Sequence, residues 1–502
     1  MRVIIWFFVF LSLPGFSQPE SGICDCKKEF TFVTTYLENH YAGFQDNVTS
    51  LTLSNYEQLK AEISKQVDSE MGPARCFFLV KKYLAFFQDN HLQFYCQRQK
   101  EIDEESAAQV RAFKESGLFR SRERVLLDTL EAKRYLLQSS DSIEGIYKND
   151  IYKIIVTKNQ NYFHDYMGYI SQSKTSLWEP GQVKLEVKQL GPNTFQTVLY
   201  LRNHSFELRK IENENPVIAA FGVKKVFPLQ SVRPKSRLEN FSLPPAGNWF
   251  QFKSLNDSTG YLHIKTFDGS LKRRFDSAYH AIKPTLESKR NLIIDVRGNG
   301  GGSDACWHFL SKYLYTQPFD NDVTEFLCTS EIIKRNEEYL QQMEARKKDY
   351  GWGAIKFQKI KLRKMRNTPS GTFIPFSKMI PWWARPFVNV KTEKQRKVYP
   401  SPERIVVMTN RNTASSAEGL VLEAMKSKKV ITFGENSGGF ITFGDIRSVN
   451  TPNGFVLQSA TQRTLNRFQY ERSGIPPKIQ ANKNEDWIQQ AIKLIQNWPQ
   501  KN

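Results

Sequence analysis

The sequence predicts a multidomain α/β protein: an N-terminal helical segment, a small antiparallel β domain and a C-terminal α/β core. Three observations carry that reading. In CFFLVKKYLAFFQDN, apolar residues recur at helical spacing. Between residues 140 and 226, short alternating strands are separated by Asn, Gly and Pro turns. From Trp249 onward, strands and helices alternate, the pattern of a layered α/β core. A chain of 502 residues with 40% apolar and 24% charged residues is globular and long enough for several cores.

The first residues, MRVIIWFFVFLSLPGFSQ, indicate the compartment. Arg2 supplies a short positive start, Val3 to Leu13 an apolar run, and Gly15 and Ser17 small residues for cleavage. Residues 1–17 therefore read as a signal peptide, with an uncleaved anchor helix as the alternative. The mature protein is expected to be exported, periplasmic or extracellular. Six cysteines suit that setting, because disulfides persist in oxidising compartments. Cys24, Cys26, Cys76 and Cys96 form one group and Cys306 and Cys328 another, and pairing within each group is the simplest expectation. A zinc site at Cys24-Asp25-Cys26 is the alternative, without a second close-spaced Cys or His pair to complete it.

A net charge of +20 points toward anionic envelope surfaces or acidic substrates. No nucleic-acid motif accompanies it, so nucleic acid is not expected as a partner and solvated basic faces are the simpler reading.

Along the chain, residues 18–135 read as a helical domain and 140–226 as a small β-barrel or sandwich. Residues 227–248 read as a linker, ending in a Pro244-Pro245-Ala246-Gly247 turn. Residues 249–498 read as the core, interrupted by an insertion over 316–402. The insertion holds a charged helical run, the basic run KFQKIKLRKMR and Trp382-Trp383. The basic run could touch an anionic membrane or shape a substrate entrance; a solvated face is the plainer alternative.

Two turns carry the chemistry. In NLIIDVRGNGGGSD, an apolar strand runs into Arg297-Gly298-Asn299-Gly300-Gly301-Gly302. Glycines there permit positive φ and let backbone N–H groups approach an anion, whether phosphate or oxyanion. The G-x-G-x-x-G pattern is not met, which weakens a nucleotide site. In RIVVMTNRNTASSAEGLVLEAM, a strand, a turn and a helix meet near Ser415. A serine at a helix N-terminus can be a nucleophile among amides that hold negative charge. Equally, Ser415 or Ser416 could be a plain N-cap, with Glu418 as capping-box partner.

Taken together and in this order, the turns resemble those of the tail-specific, or C-terminal processing, serine peptidases, including the tricorn core. That family's Asp-x-Arg-x-Asn-x-Gly-Gly turn corresponds to Asp295 through Gly302, and its Thr-Ala-Ser-x-x-Glu turn to Thr413 through Glu418. Its Gly-Glu strand end corresponds to Gly434-Glu435, and its closing Glu-x-x-Gly-Ile-x-Pro element to Glu471 through Pro477. The resemblance spans about Gly260 to Ile479 plus one N-terminal motif. It implies a ClpP/crotonase-like core and peptide or protein substrates, with no cofactor or metal required. It implies Ser415 as nucleophile, an oxyanion hole of Gly301 and Ser416 N–H groups, and Asn299 and Gly300 as the supporting turn.

One departure matters. Many members place a Lys base after Gly-Glu, where this chain has Phe440. Lys428 and Lys429 fall too early. The tricorn-like branch instead uses a histidine in an N-terminal Asp-x-His context, matched here by Asp89-Asn90-His91, with Glu471 as the acidic residue. His91 is thus expected as the base, and the N-terminal segment must fold back over the core to deliver it. His263 and His308 are the alternatives closer in sequence. The implied function is an exported serine endopeptidase; an inactive ligand- or peptide-binding protein on the same fold is the alternative.

Overall fold

Six strands form the central sheet, in the order Ile479–Gln480, Val430–Gly434, Arg404–Thr409, Asn291–Asp295, Thr259–Ile264 and Phe250–Ser254. All neighbours run parallel except the last pair. Strands of this kind read as continuous apolar runs because both faces are covered. Leu262, Leu292, Ile294, Ile405 and Val407 pack on one side with Leu310, Leu420 and Val421 from flanking helices. The alternate residues Tyr261, Ile293, Val406 and Met408 pack on the other with Trp487, Ala491 and Ile495. The computed structural model describes residues 24–96, 101–125, 129–161, 163–228, 249–350, 352–380 and 391–498. The signal-peptide reading, nearly all of the proposed linker and Trp382-Trp383 lie outside the described residues.

A second sheet holds the molecule together through one long strand, Phe455–Thr464. One edge of it pairs with Phe443–Asn450. The other edge pairs with Gln93–Cys96 from the N-terminal segment and with Thr324–Cys328 from the insertion. The register sets Gln93 opposite Gln458 and Cys96 opposite Phe455. Three regions distant in sequence therefore share one strand, which fixes the N-terminal segment beside the core.

The N-terminal segment is helical, with Cys26–His40, Leu53–Ser64 and Pro73–Leu84 as its long helices. A disulfide joins Cys26 to Cys76 and so ties the first of these helices to the third. Cys24 Sγ lies within 4.8 Å of both bonded sulfurs, and burial pushes its thiol up. The expected Cys306–Cys328 pair does not form. Cys306 is buried in the core of the central sheet and Cys328 in that of the insertion. Nearness in sequence did not bring them together.

The β domain is neither barrel nor two-sheet sandwich. Its seven strands form one antiparallel ladder that begins with Phe206–Glu212 and ends with Lys224–Phe227. Among the described residues these two edge strands do not pair with each other. The physical reason is what covers the sheet. Ile154, Leu185, Val198 and Phe206 belong to the same buried core as the N-terminal Phe77 and Phe94. Ile146, Ile155 and Tyr169 form a separate cluster with Ala132 and Leu136. The N-terminal segment and these helical residues bury the sheet, so no second sheet is needed.

In the insertion, helices Ser330–Ala345 and Trp352–Arg366 pack against each other. The basic run lies on the second and is not a free face. Lys361 is buried on Asp445 at 2.8 Å, Lys359 pairs with Glu344, and Arg366 with Glu337. Among the described residues, no helix is long and apolar enough to cross a membrane.

Candidate active site

Two tight turns at the C-terminal ends of neighbouring parallel strands make the floor of the site. Thr413 Oγ1 donates to Val296 O at 2.9 Å, Ala414 N to Asn299 O at 2.9 Å, and Gly298 N to Asn410 Oδ1 at 3.0 Å. These bonds hold the glycine turn against the serine turn. Gly301 has φ +95°, and a Cβ there would stand 2.7 Å from Ser415 Cβ and 2.9 Å from Ser416 N. Only glycine allows so close an approach. Asn299 is fully buried, its Nδ2 donating to Ile264 O at 3.1 Å. Gly300 lines the cleft at the lip of the turn.

Ser415 has φ +55° and ψ −120° and immediately precedes the helix Ser416–Met425. A non-glycine residue held there costs about 1–3 kcal/mol and persists only when its surroundings over-determine it. Glu418 does much of that. Its carboxylate accepts from Ser415 N at 2.9 Å, Ser437 Oγ at 2.6 Å, Gly439 N at 2.8 Å and Phe440 N at 2.9 Å. The capping role of Glu418 and a functional Ser415 therefore coexist.

His91 reaches this floor from a segment 324 residues away: its Nε2 lies 3.0 Å from Ser415 Oγ. Several contacts place it. Gln88, at φ +49°, ends the short helical turn Ala85–Phe87. Asp89 Oδ1 then accepts from the His91 backbone N at 2.8 Å, and Asp89 Oδ2 accepts from Tyr41 OH at 2.7 Å. Arg472 Nη2 donates to Phe87 O at 2.9 Å, tying the closing motif to the histidine loop. His91 Nδ1 stands 3.8 Å from Asp89 Oδ1.

Glu471 does not touch His91. Its Oε2 accepts from Thr442 N at 2.8 Å and Ile441 N at 3.2 Å, while Oε1 is buried without a hydrogen-bond partner among the described residues. Burial, with the negative charge of Asp89 nearby, pushes the Glu471 carboxyl up to about 7. The carboxylate beside the histidine is thus Asp89, which sequence reasoning quoted but gave no role.

The oxyanion expectation also needs one correction. Gly301 N donates to Asn299 Oδ1 at 2.9 Å, a side chain folding back on the amide two residues on. Among the described residues, no hydrogen bond engages the N–H groups of Gly302 or Ser416. Which amide stays open depends on where the asparagine side chain goes, and sequence gives no signal for that.

The remaining candidates fall elsewhere. His263 is buried on its strand, with both ring nitrogens unpartnered among the described residues, and burial lowers its pKa. His308 begins the helix His308–Leu314. Lys429 Nζ donates to Tyr399 O at 2.9 Å, outside the cleft. Phe440 lines the cleft where a lysine would be and offers no base.

Residues 258–481 match the model of peptidase family S41. Over these residues the chain is similar to the serine-type peptidases of family S41. Similar solved structures include mature CPAF complexed with lactacystin: 12% identity, 91% of this chain and 93% of that one, TM-score 0.44. The photosystem II D1 C-terminal processing protease is similar at 12% identity over 91% of this chain and 93% of that one, TM-score 0.34. The tricorn protease is similar at 10% identity over 94% of this chain and 36% of that one, TM-score 0.37. No curated protein matches the sequence.

Proposed function

We propose that this S41 domain is an exported endopeptidase acting through an acyl-enzyme on Ser415, with His91 as general base. The observation that carries the reading is the 3.0 Å separation of His91 Nε2 and Ser415 Oγ. At that distance the imidazole takes the hydroxyl proton as Oγ attacks the peptide carbonyl, then gives it to the leaving amine. Asp89, 3.8 Å from Nδ1, places a negative charge beside the ring that favours the imidazolium. Glu471, retaining its proton toward neutral pH, sits behind Asp89 as a positioning group.

The carbonyl oxygen, as it gains charge, is taken by the Ser416 N–H at the helix N-terminus and by the Gly302 N–H of the glycine turn. Gly301 supplies the close approach, with its own N–H held by Asn299. Attack forms the Oγ–carbon bond, the C–N bond then breaks, and water hydrolyses the ester by the same proton route in reverse.

Peptides or proteins are the substrates. Export rests on the Arg2 and Val3–Leu13 pattern, and an N-terminus near Gln18 in the secreted protein tests it. Cleavage of casein or a generic peptide by wild type and Ser415→Ala tests the chemistry. A loss of about 10⁴-fold or more with an unchanged melting profile is expected. Full activity in Ser415→Ala would end the proposal.

A further inference from the structure

The cleft that holds Ser415 and His91 has a volume of about 350 Å³, and Asp268, Asp304 and Asp445 line it together with Arg447 and Arg467. Asp445 is paired with Lys361 and Arg447, which leaves Asp268 and Asp304. Asp304 Oδ1 accepts from Ser416 Oγ at 2.5 Å and from Trp307 Nε1 at 3.2 Å. Its Oδ2 takes no hydrogen bond among the described residues. Asp268 Oδ1 caps the next turn, accepting from Ser270 N at 2.8 Å, and its other oxygen is likewise open.

Neither carboxylate has a cation within ion-pairing distance among the described residues, although the chain carries a net charge of +20. The cations nearby are committed elsewhere. Arg467 is bound to Asp322 at 2.5 Å, Arg447 to Asp445 at 2.6 Å, and Lys272 to Asp276. Burial raises the Asp304 carboxyl, and the hydrogen bond from Ser416 and the charge of Arg467, itself bound to Asp322, offset only part of that cost. A cation brought in by a ligand removes that cost. Because Asp304 grips the side chain of Ser416, whose backbone adjoins the nucleophile, such a cation belongs to a residue flanking the scissile bond.

We propose that Asp304, assisted by Asp268, makes this cleft selective for substrates carrying Lys or Arg next to the cleaved bond. This rests on the reading of Ser415 as the nucleophile. The incoming ammonium or guanidinium donates to Asp304 Oδ2, while Ser416 and Trp307 keep Oδ1 in place. The same two carboxylates repel acidic residues at that position.

Digestion of a mixed peptide library, with product ends sequenced by mass spectrometry, tests it. Wild type is expected to cut next to Lys or Arg roughly 10- to 100-fold more often than next to Asp or Glu, the scale of one charged hydrogen bond. Asp304→Asn should reduce that ratio to near unity, and Asp268→Asn should reduce it in part. If Asp304→Asn disturbs Ser416 and loses turnover, the wild-type and Asp268→Asn ratios still decide. Wild-type cleavage without a basic preference, or a preference unchanged in both variants, overturns the inference and leaves the peptidase reading intact. No cleavage of any library member by wild type overturns both.

Discussion

Asp89 turns the His91 loop: its Oδ1 accepts the histidine backbone N–H at 2.8 Å and lies 3.8 Å from the ring Nδ1, which takes no hydrogen bond among the described residues. One carboxylate therefore fixes where the loop turns and sets a negative charge beside the ring. Asp89→Ala is expected to lower kcat by about 10²-fold or more with little change in KM, because it removes the orienting group and spares the substrate cleft. Glu471→Gln should cost less turnover, since glutamine Oε1 still accepts from Thr442 and Ile441. Steady-state kinetics on both variants checks the ranking; a larger loss in Glu471→Gln would restore Glu471 as the direct partner.

Glu471 also makes stability depend on pH. Its folded pKa, pushed up to about 7, lies above the ordinary carboxylate value. Between that value and pH 7 the folded chain keeps a proton that the unfolded chain has released. Raising pH through this window therefore destabilises the fold, and lowering it restores the loss. Melting temperatures of wild type and Glu471→Gln should diverge from about pH 5 to pH 7, with wild type falling relative to the variant. Parallel curves would refute the assignment.

Gly301→Ala tests the close approach of the two turns. The added methyl would meet Ala414 O at 2.6 Å and Ser415 Cβ at 2.7 Å, on a backbone at φ +95°. Activity should vanish, and stability should fall by about 1–3 kcal/mol. Ser416→Ala is a gentler probe, because its backbone N–H survives. A loss of only severalfold is expected in peptide cleavage, arising from the release of Asp304.

The insertion is locked to the cleft wall by Lys361 and Asp445, both buried and 2.8 Å apart. Lys361→Met leaves Asp445 with Arg447 and Thr461 alone. Removing one member of a buried pair typically costs about 3–5 kcal/mol. Chemical denaturation should show a loss of that order. A neutral result would mean that Arg447 alone satisfies the carboxylate.

Legibility in the sequence followed the range of the interactions. Asn299, Gly301 and Ser415 could be read because a strand, a turn and a helix are local events, written within a dozen residues. His91 could be reached only through resemblance, since nothing local marks a histidine for a serine 324 residues away. Strand Gln93–Cys96, which delivers it, is four residues long and too short for a periodic signal. The roles proposed here for Asp304 and the Gly302 amide could not be read from the sequence, for a different reason. Their importance comes from what is left unpaired after Ser416, Trp307 and Asn299 have chosen partners, and residue spacing carries no such information. The expected Cys306–Cys328 disulfide failed likewise, because the two cysteines enter different cores.

Labelling with a fluorophosphonate probe, followed by peptide mapping, tests the pairing of Ser415 with His91 most directly. The account predicts a single adduct on Ser415, absent in Ser415→Ala and formed about 10²- to 10⁴-fold more slowly in His91→Ala. An adduct on another residue, or His91→Ala labelling at the wild-type rate, would contradict it.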